Sequence, residues 1–117
     1  MSDGEMAWTS FDTVTRQINL NRFQIKIDGS IHPTQKPIKL YKWLLSNYAK
    51  KGDIILDTHL GSGSSRIAAY EMDYSFYSCE IDKEYYENSI KRFENFKQQI
   101  SLFTFSEQVT AEQVKLF

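Results

Sequence analysis

Glycine and acidic residues that could hold a nucleotide lie near the middle of the chain. The segment Asp57-Thr-His-Leu-Gly-Ser-Gly-Ser-Ser65 contains Gly61 and Gly63, and Glu80 follows this segment. Glycine lets a backbone approach its ligand closely, and a carboxylate roughly 20 residues further on can accept hydrogen bonds from ribose hydroxyls. Together with Asp57, an acid at the end of an apolar run, these residues predict a nucleotide site.

The elements around the glycines have the order of half a nucleotide-binding fold. Residues 54–56 form an apolar run after Gly52-Asp53, which predicts a short buried strand. The segment from Ser64 to Met72 is compatible with a helix, and residues 75–82 predict a second strand that ends in acids. A strand, a glycine turn, a helix and a strand with a terminal acid form the arrangement of doubly wound α/β proteins.

A second motif, His32-Pro-Thr-Gln-Lys-Pro37, lies upstream and precedes a helical segment and the glycine strand. With these motifs in this order and at matching spacing, residues 31–99 resemble the C-terminal half of a bacterial or phage DNA amino-methyltransferase. The resemblance implies an α/β fold, a partial Rossmann-like methyltransferase sheet with flanking helices. It also implies S-adenosylmethionine as cofactor, DNA as a partner and a role of the restriction-modification type.

The resemblance further implies which residues contact the cofactor. Asp57, Gly61 and Gly63 would line its methionine part, and Glu80 would hold its ribose. The segment from His32 to Lys36 would close over the methionine end. The implied cofactor-binding residues are His32, Thr34, Lys36, Asp57, His59, Gly61, Ser62, Gly63, Ser64 and Glu80.

This chain departs from the family pattern most clearly in the catalytic signature, Asp-Pro-Pro-Tyr or Asn-Pro-Pro-Tyr. Its two prolines, Pro33 and Pro37, are not adjacent. In the subgroup with this motif order the catalytic motif lies further upstream, whereas 31 residues precede His32 here. We therefore expect a truncated domain that has no catalytic residue of its own and needs a second chain carrying the catalytic half.

Composition indicates one small domain over residues 1–117, with an N-terminal strand and loop region at 1–30, a cofactor-binding core at 31–100 and a tail at 101–117. Hydrophobic residues make up 41% of the chain, which argues against disorder. A single cysteine excludes an internal disulfide, and no metal-ligand spacing is present. Without an apolar run near the roughly 20 residues of a membrane span, we expect a cytoplasmic protein.

Local patterns outside the core predict further elements. Residues 7–11 resemble a short strand with Trp8 and Phe11 in the core, and Ile27 before Asp28-Gly29 indicates a strand end and turn. A helix is expected from Pro37, and Asp82 is placed to cap another. Thr110 is a possible cap within the tail.

The lysines before the glycine segment and the small number of strands both indicate possible binding partners of the chain. Residues 31–51 contain five lysines and no acid, and this segment could track DNA phosphates, although solvation of a helix face explains the lysines more simply. A sheet of two or three strands leaves open edges and an uncovered face. The chain is therefore expected to associate, either with itself as a homo-oligomer or with a second polypeptide.

Two further hypotheses fit some of the same residues. The chain could be a catalytically dead remnant with a binding or regulatory role, or a different protein that holds another adenosine ligand. A lone histidine at the place of His59 is more often a polar loop residue than a ligand contact, and a buried place in the second strand explains Cys79 better than nucleophilic catalysis does.

Overall fold

The described part of the protein consists of helices packed around a pair of short parallel strands. A computed structural model describes residues 4–31 and 35–115. In chain order its elements are α1 (Phe23–Asp28), α2 (Ile38–Tyr48), β1 (Ile54–Asp57), α3 (Ser64–Glu71), β2 (Ser75–Ser78) and α4 (Lys83–Lys115). This order confirms an α/β fold with flanking helices.

The two strands form a parallel pair in which Ile54 lies opposite Ser75 and Asp57 lies opposite Ser78. Parallel strands require a crossover connection, which α3 supplies. Residues alternate along both strands between half-buried and exposed, and Ile54, Leu56 and Tyr77 are 66%, 65% and 65% exposed. The prediction of a buried β1 is therefore wrong, because only one face of the strand pair is covered within the described residues.

Helix α2 begins where the sequence predicted. Pro37 is its N-cap, with an extended backbone, and a proline there withholds no N–H that the helix needs. The apolar residues Leu40, Trp43 and Leu44 are half-buried, and the helix packs against α3. Its last turn is closed by the Ala49 N–H, which donates to the Leu45 carbonyl at 3.0 Å.

The N-terminal region differs from the prediction. Residues 4–22 contain no regular helix or strand, Trp8 is 96% exposed, and Phe11 is exposed as well. The expected strand end at Ile27 is instead the helix α1, which starts where the Asn21 side chain accepts a hydrogen bond from the Phe23 N–H at 2.9 Å. The expected turn is present, since Gly29 has a φ of +79°.

Helix α4 begins at the predicted cap and continues through the tail. The Asp82 carboxylate accepts a hydrogen bond from the Tyr85 N–H at 2.9 Å, as an N-cap does. No glycine or proline interrupts residues 83–115. Thr110 lies inside the helix, where its hydroxyl donates to the Ser106 carbonyl at 3.0 Å, so the prediction of a second cap is wrong.

The buried core is centred on α3 and the glycine segment that precedes it. Its buried apolar residues are Leu60, Ile67, Ala68 and Ala69, and its buried polar residues are Gln35, Ser62, Ser64, Ser65 and Ser89. The alanines and serines let α2 and α4 approach α3 closely. Across the residues described, no helix is both long enough and apolar enough to cross a bilayer.

Candidate functional site

The candidate site lies where both strands end. Because the strands are parallel, their carboxyl ends meet at one edge, the position at which open α/β sheets bind ligands. Backbone hydrogen bonds of 3.0 Å join the two loops that leave this edge: the Leu60 N–H donates to the Cys79 carbonyl, and the Cys79 N–H donates to the Asp57 carbonyl. The glycine segment and the Glu80 segment therefore form one surface.

Glu80 connects the end of β2 to the glycine segment. One of its carboxylate oxygens accepts a hydrogen bond from the Gly61 N–H at 2.7 Å. The other accepts from the Asp82 N–H at 3.0 Å. The sequence predicted that Glu80 lies near Gly61, and the structure adds that the carboxylate orients the loop backbone directly.

Asp57 holds both ends of the glycine segment. Its Oδ1 accepts a hydrogen bond from the His59 N–H at 3.0 Å, and its Oδ2 accepts a short hydrogen bond from the Ser65 hydroxyl in the first turn of α3. An acid that ends a half-buried strand needs such partners. Asp57 thus fixes the path of the chain from β1 into α3.

His59 and Cys79 are both exposed at this edge. The His59 ring lies beside Thr58, with 2.9 Å between Nδ1 and the Thr58 hydroxyl. The expectation that Cys79 is buried in a strand is wrong, because β2 ends at Ser78 and the chain turns towards Glu80.

Ser62 and Ser64 are buried and are contacted by Arg92 of α4. The Arg92 Nη1 donates to the Ser62 carbonyl at 3.1 Å and to the Ser64 hydroxyl at 2.9 Å. Burial lowers the pKa of the Arg92 guanidinium, and the negative charge of Asp28 acts in the opposite direction. These serines therefore lie on the interior side of the loop, where they accept hydrogen bonds from α4.

Gly63 is required at its position for two reasons. Its φ of +81° falls in the left-handed region, which side chains disfavour. A Cβ at this position would also lie 3.3 Å from the Cβ of Ser89, a buried residue of α4. The close approach of the loop to α4 thus depends on the missing side chain.

The segment before α2 is only partly described, since His32 and Thr34 lie outside the described residues. Lys36 forms an exposed ion pair with Glu5, with 2.6 Å between Nζ and the carboxylate. Gln35, which was not among the predicted site residues, is buried; its amide donates to the Gly29 carbonyl at 2.7 Å and accepts from the Ile31 N–H at 3.0 Å.

The structure thus brings most of the predicted site residues to one edge, while His32 and Thr34 lie outside the described residues. Those brought together are Asp57, His59, Gly61, Ser62, Gly63, Ser64 and Glu80. Among the described residues, no group of three or more histidine, cysteine, aspartate or glutamate side chains could hold a metal ion.

Comparison with known families identifies this arrangement. The family model of N6- and N4-type enzymes that is described as DNA methylase matches residues 5–92, which is more than half of the chain. The chain belongs to this DNA methylase family. The resemblance predicted from the two motifs is therefore confirmed.

Individual type II methyltransferases match about half of the chain. The type II methyltransferase M.HpaI of Haemophilus parainfluenzae is 36% identical over 64 residues, which are 55% of this chain and 20% of that protein. M2.DpnII of Streptococcus pneumoniae is 38% identical over 63 residues, or 54% of this chain and 24% of that protein. The matched part of the chain thus spans about a fifth to a quarter of the length of these relatives.

A solved structure supports the fold. The crystal structure of an M1.HpyAVI–SAM complex matches with a TM-score of 0.52 at 35% identity, covering 54% of this chain and 32% of that chain. The partial Rossmann-like fold predicted from the order of elements is therefore confirmed.

Three residues near the site were not predicted from the sequence: Arg92 and Ser89 approach the glycine segment from α4, and Tyr41 of α2 lies within electrostatic range of Asp57. Burial raises the pKa of the Tyr41 hydroxyl, and the nearby negative charge of Asp57 raises it further. Tyr41 lies directly after Leu40 in α2, and Ser89 and Arg92 lie three residues apart in α4. The spacing of Ser89 and Arg92 places both residues on one face of α4. It is the only sequence feature that could have indicated that they contact the same loop.

The raised pKa of Tyr41 predicts a pH dependence of stability. The folded state favours the neutral phenol, so the stabilisation is present below the ordinary pKa of 10.0 and is lost as pH rises through the folded-state pKa. We expect Tyr41→Phe to lose less stability than the wild type between about pH 9 and about pH 11. Urea unfolding at both pH values measures this; equal losses in the two proteins would contradict it.

Proposed function

We propose that this chain is the cofactor-binding part of a DNA amino-methyltransferase and that its site takes S-adenosylmethionine. The observation that carries the proposal is the meeting of Asp57, the glycine loop and Glu80 at the carboxyl edge of parallel strands, in a member of the DNA methylase family. The similar crystal structure of M1.HpyAVI is that of a complex with SAM, which supports the choice of cofactor.

The chemistry and exposure of the loop residues fit this cofactor. Asp57, Gly61 and Glu80 are half-exposed, whereas Ser62 and its neighbours up to residue 65 are buried. A carboxylate offers about four acceptor positions, so the bonds from Glu80 to the backbone are compatible with accepting from ribose hydroxyls as well. The exposed members would contact the ligand, and the buried serines would hold the loop from behind.

The role of these residues would be positioning. S-adenosylmethionine supplies an activated methyl group when bound, so the chain has to orient the cofactor and to exclude alternative poses. The nucleophile would be the amino group of an adenine or cytosine base in DNA. Lys39, Lys50 and Lys51 are exposed on α2 and after it, where they could contact phosphates, whereas Lys42 pairs with Glu71.

The polar acceptor and the stacking aromatic that family members use on the target base would come from a second chain carrying the catalytic half. The catalytic signature of the family contains two adjacent prolines, and the 117 residues of this sequence contain no such pair, which supports this part of the proposal. So does the open sheet face formed by Ile54, Leu56 and Tyr77, since exposed apolar patches are typical of interaction sites.

Calorimetric titration of the purified chain with S-adenosylhomocysteine tests the cofactor assignment, with ATP as a second adenosine ligand. We expect micromolar affinity for S-adenosylhomocysteine, about −8 kcal/mol, and at least about tenfold weaker binding of ATP. No binding by a chain shown to be folded would overturn the proposal and favour a catalytically inactive oligomeric protein. Preference for ATP would favour a different nucleotide-binding protein.

A further inference from the structure

A polar network behind the glycine loop joins parts of the chain that are far apart in sequence. Its centre is the guanidinium of Arg92, a half-buried residue of α4. Nη1 donates to the Ser62 carbonyl at 3.1 Å, the Ser62 hydroxyl at 3.3 Å and the Ser64 hydroxyl at 2.9 Å. Nη2 donates to the Asp28 carbonyl at 3.3 Å. One side chain therefore holds both the loop and the end of α1.

Asp28 extends the network to the start of α2. Its carboxylate accepts a hydrogen bond from the Ile38 N–H at 2.9 Å, which satisfies a donor that the first turn of a helix leaves unpaired. Buried Gln35 adds two more bonds, to the Gly29 carbonyl and from the Ile31 N–H. These bonds link Gly29, Ile31 and the start of α2 to the residue that Arg92 contacts, Asp28.

The geometry of the donors explains why arginine is suited to this position. A guanidinium presents several N–H donors in a rigid planar arrangement, whereas a lysine ammonium is a compact charge on a flexible chain. Arg92 uses different nitrogens for Ser62 and for Asp28. Loss of the guanidinium would leave buried acceptors unpaired on both sides, so the two segments are expected to loosen together.

We infer that Arg92 is a positioning residue that sets the glycine loop and the end of α1, together with Gly29 to Ile31, in one fixed arrangement for the ligand. The effect on ligand affinity rests on the proposed function. The effect on the loop does not, because it can be measured in the chain without any ligand.

Amide hydrogen exchange of the ligand-free chain tests the first part, with Arg92→Met, Arg92→Lys and the loop-side variant Ser64→Ala. In Arg92→Met, amides of Gly61 to Ser64 and of Gly29 to Ile31 should exchange at least about tenfold faster, while the amide of Cys79, which donates to the Asp57 carbonyl beyond the end of β2, keeps its rate. Ser64→Ala should loosen the loop alone, and Arg92→Lys should restore part of the protection. The exposed neighbour variant Lys91→Met should match the wild type.

Titration of the same proteins with S-adenosylhomocysteine tests the second part. We expect at least about tenfold weaker binding in Arg92→Met, partial recovery in Arg92→Lys and wild-type affinity in Lys91→Met. Uniform loss of protection across the chain, or unchanged loop exchange, would overturn the inference, as would a locally loosened variant of unchanged affinity. If the wild type itself bound no S-adenosylhomocysteine, the proposed function would fail, and the exchange pattern would still decide whether Arg92 holds the loop.

Discussion

Replacement of Glu80 by alanine is expected to weaken binding of S-adenosylhomocysteine by at least about 100-fold. The side chain would lose its contact with ribose and also its bonds to Gly61 at 2.7 Å and Asp82 at 3.0 Å. Hydrogen bonds to a charged group contribute about 1.5–3 kcal/mol each, and a 100-fold change corresponds to about 2.7 kcal/mol. Loss of the ribose contact together with loss of the bonds that hold the loop therefore accounts for the expected 100-fold weaker binding. Calorimetric titration measures this affinity directly.

Two further variants separate the charge from the fold. Glu80→Gln keeps an oxygen that can accept from Gly61 but replaces the other by an amide donor, so we expect an intermediate loss of affinity. Glu84→Ala removes an exposed acid from the first turn of α4 and should retain wild-type affinity. Equal weakening in Glu80→Ala and Glu84→Ala would show a general charge effect and refute the assigned role.

The elements that form the candidate site could be predicted from short segments of the sequence. A strand, glycines and an acid roughly 20 residues later are specified by short segments, and the structure places Gly61 and Glu80 in direct contact. The helix from Pro37 and the cap at Asp82 depend on neighbouring residues in the same way. The helix and the cap are confirmed because the forces that decide them act within a few residues, whereas the assignment of a cofactor to the site residues stays a prediction.

The incorrect predictions concern contacts or periodicities that short segments do not determine. Trp8 and Phe11 have strand-like residue types, but a strand needs a pairing partner, which the described residues do not provide here. Apolar residues two apart, as before Asp28, fit a strand end or one turn of a helix, and the side chain of Asn21 favours the helix. Arg92 and Ser62 are 30 residues apart in the sequence. No local sequence pattern predicts a contact between residues that far apart.

The uncovered sheet face connects the fold to the partner that we propose. Ile54, Leu56 and Tyr77 lie on it in register across the two strands. The opposite face is covered by α3, with Ala68 and Ala69 buried in the core. A sheet of parallel strands is ordinarily covered on both faces, so the residues that complete the sheet would also bring catalytic groups close to the carboxyl edge.

Substitution of Gly63 by alanine is expected to cost about 2–5 kcal/mol of folding free energy. Part of the cost is the left-handed φ of +81°, worth about 1–2 kcal/mol for a residue with a side chain. The rest is overpacking, about 1–3 kcal/mol, because the new Cβ lies 3.3 Å from the Cβ of Ser89. Urea unfolding measures the loss, and the melting temperature should fall by roughly 10–20 °C.

Gly52 provides a matched control, and Ser89 a test of the cause. Gly52 has a φ of +90° with nothing within 4 Å of a Cβ, so Gly52→Ala should show only the conformational cost of about 1–2 kcal/mol. In a double-mutant cycle, Ser89→Gly should recover about 1 kcal/mol or more when combined with Gly63→Ala, since neighbouring substitutions that share a contact are not additive. Equal losses at Gly52 and Gly63, or strict additivity with Ser89→Gly, would mean that α4 does not restrict the loop. Recovery of stability in the double mutant would show that the loop and α4 are packed against each other. Such packing is required if α4 is also to hold the same loop through Arg92.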